Sequence, residues 1–146
     1  MSDYRELKTR ADERWQGLIA GDKPWIRVGT GLCGEAAGAV DVVEALKAGL
    51  SSLGLDANLS EVGCLGLCYT EPLVDILKPG GPRVFFKNVT PEDVPGLLSG
   101  YLADGELPAD KALGYLGATA VDGLTDIESM PSMKLQERIA LRNSGH

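Results

Sequence analysis

The run Lys78-Pro79-Gly80-Gly81-Pro82 is neither helix nor strand, because proline has no amide hydrogen to donate and paired glycines carry little bias toward either. On its two sides lie the short apolar runs Leu73-Val74-Asp75-Ile76-Leu77 and Arg83-Val84-Phe85-Phe86-Lys87. Two strand-forming runs joined by a turn of that composition read as an antiparallel hairpin. Upstream, Trp25-Ile26-Arg27-Val28 reads as a strand and residues 57–62 as another, with weak alternation. Between them residues 36–50 read as a helix with Ala36, Ala39, Val43, Leu46 and Leu50 on one face, and Gly54 marks the turn beyond it. A strand, a crossover helix and a second strand call for parallel pairing, so the sheet that combines this unit with the hairpin is mixed.

Two further helices frame these elements. Residues 3–20 repeat Tyr4, Leu7, Ala11, Trp15 and Leu18 at steps of three and four, with Asp3 and Glu6 at capping-box spacing. Gly21-Asp22-Lys23-Pro24 stops that helix. After the hairpin, Thr90-Pro91-Glu92-Asp93 starts another, with Thr90 as N-cap, Pro91 in the first position and acids in the first turn, running to about residue 102. The order helix, strand, helix, strand, strand, strand, helix is the thioredoxin-like arrangement. The expected fold class is α/β, a mixed four-stranded sheet with flanking helices, an N-terminal helix and an extended C-terminal tail. Residues 1–24 form the helical arm and 25–103 the domain. Residues 104–146, rich in glycine, are expected to pack loosely, with a helix over 134–143.

Composition excludes several classes of partner. The 146 residues carry a net charge of −7, which opposes binding to phosphate backbones, so nucleic acid is not an expected partner. No apolar run approaches the roughly twenty residues that cross a bilayer, and the charged start is unlike a signal peptide. Three cysteines, an odd number, fit a reducing cytoplasm better than a secreted disulfide scaffold.

Those cysteines are Cys33, in Gly29-Thr30-Gly31-Leu32-Cys33-Gly34, and Cys64 and Cys68, in Gly63-Cys64-Leu65-Gly66-Leu67-Cys68. All lie in loops that a short α/β domain brings to one edge. Soft thiolates suit iron, and glycines let backbone amides approach the sulfurs. A structural zinc site more often separates paired cysteines by two residues, and here there are three. Other readings stand beside metal binding: cysteines buried as inert core residues of a cluster-free module, or a Cys64–Cys68 thiol pair whose spacing departs from the thioredoxin motif. Glu71, Glu92 and Asp93 read as loop and capping groups. The apolar stripe with Trp15 reads as packing, and His146 has no assigned role.

Gly63-Cys64-Leu65-Gly66-Leu67-Cys68-Tyr69-Thr70-Glu71-Pro72, with Val74, Pro79-Gly80 and residues 89–94, resembles the thioredoxin-like 2Fe-2S ferredoxin domain of NADH dehydrogenase and NAD-linked hydrogenase subunits. Gly31-Leu32-Cys33-Gly34-Glu35-Ala36-Ala37-Gly38-Ala39 looks like the other half of its cluster motif. Met130-Pro131-Ser132-Met133-Lys134-Leu135-Gln136-Glu137-Arg138 and the residues to Gly145 resemble the stretch leading into the flavin- and NADH-binding region of the complex I flavoprotein subunit. The resemblance implies an iron–sulfur electron-transport domain of an oxidoreductase complex, with one-electron transfer through a 2Fe-2S cluster. Cys64 and Cys68 would bind one iron and Cys33 the other. It implies the other subunits of an NADH dehydrogenase or hydrogenase as partners, no membrane insertion and no catalytic residue in this chain. With the flavin region not in this sequence, no FMN or NAD site is expected, and the chain alone should not oxidise NADH.

One departure marks the site. The family's first motif half supplies two cysteines, and here Val28 or Gly29 stands where the second is expected. The fourth ligand is left to Thr30, Glu35, Thr70 or a non-protein group. Without a cluster, the same fold would serve as a docking or adaptor domain.

Overall fold

A computed structural model describes residues 3–139 and 142–144. Five strands form one sheet in the order β2-β1-β3-β4-β5: β1 Trp25–Gly29, β2 Asn58–Val62, β3 Val74–Leu77, β4 Arg83–Phe86 and β5 Ala112–Leu116. β1 and β2 run parallel, joined through helices α2 Leu32–Ala36 and α3 Ala39–Leu53, and every other pairing is antiparallel. The crossover and the hairpin are therefore as the turn chemistry requires.

The fourfold sheet read from the sequence gains a fifth strand from the segment expected to pack loosely. Ala112-Leu113-Gly114-Tyr115-Leu116 hides its strand character because glycine interrupts it. That glycine is needed. A Cβ on Gly114 would stand against the Thr125 carbonyl oxygen at 2.4 Å and the Ile127 side chain at 2.8 Å, so the bare backbone lets the following segment cross close over β5. Tyr115 and Asp126 form a bridge there.

Alternation divides the sheet into two unlike faces. Ile26, Val28, Val74, Ile76, Val84 and Phe86 lie with Val42, Val43 and Leu46 of α3 and with Leu97 and Leu98 in the main apolar core. Each such side chain stabilises the fold by about 1.5–3 kcal/mol on leaving water. Trp25, Arg27, Asp75, Arg83 and Phe85 have the opposite parity and meet across the strands, with Arg27 opposite Asp75 and Asp75 opposite Phe85. Phe85 joins Leu65, Leu67, Leu73 and Ile127 in a second, smaller core.

The expected helix after the hairpin is broken into a 3-10 turn, Pro91–Asp93, and a π-helical stretch, Gly96–Asp104. Thr90 and Asp93 make the reciprocal capping box, and Pro95 directly precedes the wider turns. Helix α1, Tyr4–Ile19, has no buried residue and touches the body where Trp15 meets Trp25 edge to face, 5.7 Å between ring centres. Asp3 caps it by accepting the Arg5 amide. The tail contains a short α4, Pro131–Lys134, after which 135–139 is not helical; Ala140, Leu141, Gly145 and His146 lie outside the described residues.

Candidate functional site

β1 and β2 are parallel neighbours, so the loops leaving their C-terminal ends emerge side by side. Thr30 donates its amide to the Val62 carbonyl at 3.0 Å, stitching the two exits together. A Cβ on Gly31 would stand 3.2 Å from the Cys64 Cβ. The Cys33 loop and the Cys64–Cys68 loop are thus in contact at one sheet edge.

Alternate burial presents the sulfurs. Leu65 and Leu67 are buried in the smaller core with Phe85 and Ile127, while Gly66 and Cys68 are exposed and Cys64 is partly so. Two inward leucines hold the loop down and turn Cys64 and Cys68 outward between them. Their sulfurs are 3.7 Å apart. Gly66, at φ +88°, donates its amide to the Cys64 sulfur at 3.1 Å; a left-handed residue is what brings that amide around, and glycine adopts it without strain. Burial pushes the Cys64 thiol up, the Gly66 amide pulls it down, and Cys68 pushes it up again. The Thr70 hydroxyl donates to the Leu67 carbonyl at 2.7 Å and closes the turn Cys68–Thr70. The peptide from Glu71 to Pro72 is cis.

The sulfur separation tests the site against a metal. Thiolates bound at about 2.3 Å to a tetrahedral ion stand about 3.8 Å apart, so Cys64 and Cys68 are spaced to chelate one ion. A disulfide requires about 2.05 Å, and both are free thiols. Cys33 lies, exposed, in the first turn of α2 rather than in the loop expected for it. Among the described residues, no three Cys, His, Asp or Glu side chains gather to hold one ion. A two-iron cluster needs no such trio, since its four protein ligands divide two to each iron. Cys64 and Cys68 thus stand as a closely spaced thiol pair, and Cys33 is a further exposed thiol on the same sheet edge.

Val28 and Gly29, the two positions where the missing cysteine is expected, lie in unlike surroundings. Val28 is fully buried in the main core; Gly29 faces the cysteine loops, where a Cβ would meet the Glu71 carboxylate at 3.1 and 3.3 Å. Glu71 lies in a loop, as its sequence position indicated, but not at the surface. It is buried at 8 % exposure, with Oε2 accepting the Leu73 amide at 2.8 Å. Burial pushes its carboxyl up, and the Leu73 amide partly offsets this. A Cβ on Gly34 would meet the same carboxylate at 3.3 Å and the Gly29 carbonyl oxygen at 2.0 Å. Two glycines thus make the space that Glu71 fills. Of the oxygen ligands the sequence offered, Thr70 is buried and already bonded within its own turn, while Glu35 is exposed on α2.

Comparison with known proteins bears on this arrangement. The NADP-reducing hydrogenase subunit HndB of Solidesulfovibrio fructosivorans is 30% identical over 105 residues, which cover 70% of this chain and 83% of that protein. The chain belongs to the family of that hydrogenase subunit. No family model matches the sequence. In fold, a thioredoxin-like 2Fe-2S ferredoxin from Aquifex aeolicus matches with a TM-score of 0.58 at 18% identity, covering 66% of this chain and 94% of that one. A second structure of the Aquifex aeolicus ferredoxin, the wild type, matches with a TM-score of 0.55 at 20% identity, over 64% of this chain and 98% of its own. The sheet with flanking helices is the thioredoxin-like ferredoxin fold.

Proposed function

We propose that this domain carries single electrons through a 2Fe-2S cluster, as part of an oxidoreductase assembly of the hydrogenase or NADH-dehydrogenase kind. The observation that carries the reading is the 3.7 Å Cys64–Cys68 sulfur pair, held outward by buried leucines and receiving a backbone amide. Its spacing is that of two ligands on one iron, and it occurs in a chain related to a hydrogenase subunit. When bound, the cluster supplies a one-electron redox change at iron. The protein's own part is to hold and tune it. Cys64 and Cys68 take one iron, Cys33 faces the other, and the Gly66 amide stabilises thiolate charge on Cys64. Exposed Cys33 and Cys68 lie at the surface, which shortens the path to an external donor or acceptor. Partners are the other subunits of such a complex, and the compartment is the cytoplasm, where thiols stay reduced. Among the described residues no helix is long and apolar enough to cross a membrane.

The test is anaerobic reconstitution with iron and sulfide. The protein should gain visible absorbance that dithionite bleaches, and the Cys64→Ala, Cys68→Ala double variant should lose it while keeping its far-ultraviolet dichroism, because neither side chain belongs to the cores. A wild type that stays colourless and iron-free would instead support a docking module without a cluster.

A further inference from the structure

Position 29 is where a fourth thiolate is missing, and the space in front of it is not empty. The three atoms nearest to a Cβ built on Gly29 all belong to the Glu71 carboxylate, at 3.1, 3.3 and 3.6 Å. The same carboxylate lies 3.3 Å from the corresponding point on Gly34, the residue after Cys33. Glu71 therefore stands between the end of β1 and the start of the helix that carries Cys33. It is buried, yet among the described residues no Lys or Arg pairs with it, and its one hydrogen bond, from the Leu73 amide, engages Oε2. A buried carboxylate without a cation is costly and calls for a positive partner. A ferric ion is such a partner.

We propose that Glu71 is the fourth cluster ligand, its carboxylate replacing the thiolate that position 29 lacks and sharing the second iron with Cys33. The inference rests on the cluster reading above. A carboxylate keeps the ligand charge of a four-thiolate set, which a neutral hydroxyl from Thr30 or Thr70 does not. It is also the harder donor, so the iron it binds is chemically unlike the iron held by Cys64 and Cys68.

Two variants and one spectrum test this. Glu71→Gln keeps an oxygen to accept the Leu73 amide and removes the charged donor. Gly29→Cys combined with Glu71→Ala vacates the carboxylate and puts a thiolate in its place. After reconstitution with iron-57 and sulfide, the wild type should show two unequal ferric doublets by Mössbauer spectroscopy. Glu71→Gln should retain roughly tenfold less cluster against a chelator, a loss on the scale seen when a site's supporting ligands are removed. The Gly29→Cys, Glu71→Ala pair should regain the cluster and bring the doublets together. Equal doublets in the wild type, or full cluster retention in Glu71→Gln, would overturn the ligand assignment and leave the cluster standing. No iron in the wild type or in either variant would remove the cluster reading itself, and this assignment with it.

Discussion

Asp75 and Glu71 are both buried carboxylates, and their surroundings differ. Asp75 is met by Arg27 through three bonds, Nε to Oδ1 at 2.9 Å and to Oδ2 at 3.2 Å and Nη2 to Oδ2 at 3.0 Å, with Arg83 at 3.5 Å and both guanidinium groups near the Trp25 ring. Burial pushes the Asp75 carboxyl up, but Arg27 and then Arg83 pull against it; burial and Arg27 bring Arg83 down to about 10 despite Asp75. Glu71 has one backbone amide and, among the described residues, no cation. Asp75 is a carboxylate whose neighbours match its charge, and Glu71 is one whose neighbours among the described residues do not.

The sharpest way to break that contrast is at Asp75. Asp75→Asn strands the buried Arg27 guanidinium and the half-buried one of Arg83 and should destabilise the domain by about 3–5 kcal/mol, read as a lower urea midpoint. A loss below about 1 kcal/mol would mean that the arginines reach water and that the pairing is no different from a surface one.

Gly34→Ala tests the space around Glu71. Its Cβ would fall 2.0 Å from the Gly29 carbonyl oxygen, a backbone atom that cannot swing aside, so α2 must move. Overpacking of this kind costs about 1–3 kcal/mol. Thermal unfolding of the apo protein checks it, and an unchanged midpoint would show that α2 is not seated against β1.

Glu71→Gln should have a small effect with the opposite sign. The folded carboxyl holds its proton more tightly than the unfolded one, so the folded state binds more protons and stability falls as pH rises from the ordinary glutamate value of about 4.3 towards the raised folded value. Apo wild type should therefore lose stability across that window, while Glu71→Gln is flat and at neutral pH at least as stable. A wild type that gains stability with rising pH relative to the variant would contradict the unmatched charge.

How much of this was legible before the fold was known depends on the range of the contact. Pro79-Gly80-Gly81-Pro82 declares its turn locally, and Val28, Val74 and Phe86 declare the core face by parity. The cysteine loop was legible too, because Leu65 and Leu67 alternate with Cys64, Gly66 and Cys68 within a few residues. β5 was not, since Gly114 disguises it and its pairing with Phe85 joins distant segments. Nor was Glu71. Its burial comes from Gly29 and Gly34, far along the chain, and nothing near it departs from an ordinary loop acid. The available signal was a pairing of two oddities, a glycine where a ligand was due and an acid just past the second cysteine pair. Arg27 and Asp75 were visible as charges inside strands, yet that they face one another follows from the β1–β3 register alone.

The central claim is that the cysteine edge holds two irons bridged by sulfide. Chemical analysis of the anaerobically reconstituted, desalted protein tests it most directly. The account predicts about two iron and two acid-labile sulfide per chain, falling to background in the Cys64→Ala, Cys68→Ala variant. Less than about one-tenth of an iron per chain in folded wild type, or wild-type iron content in that double variant, would contradict it.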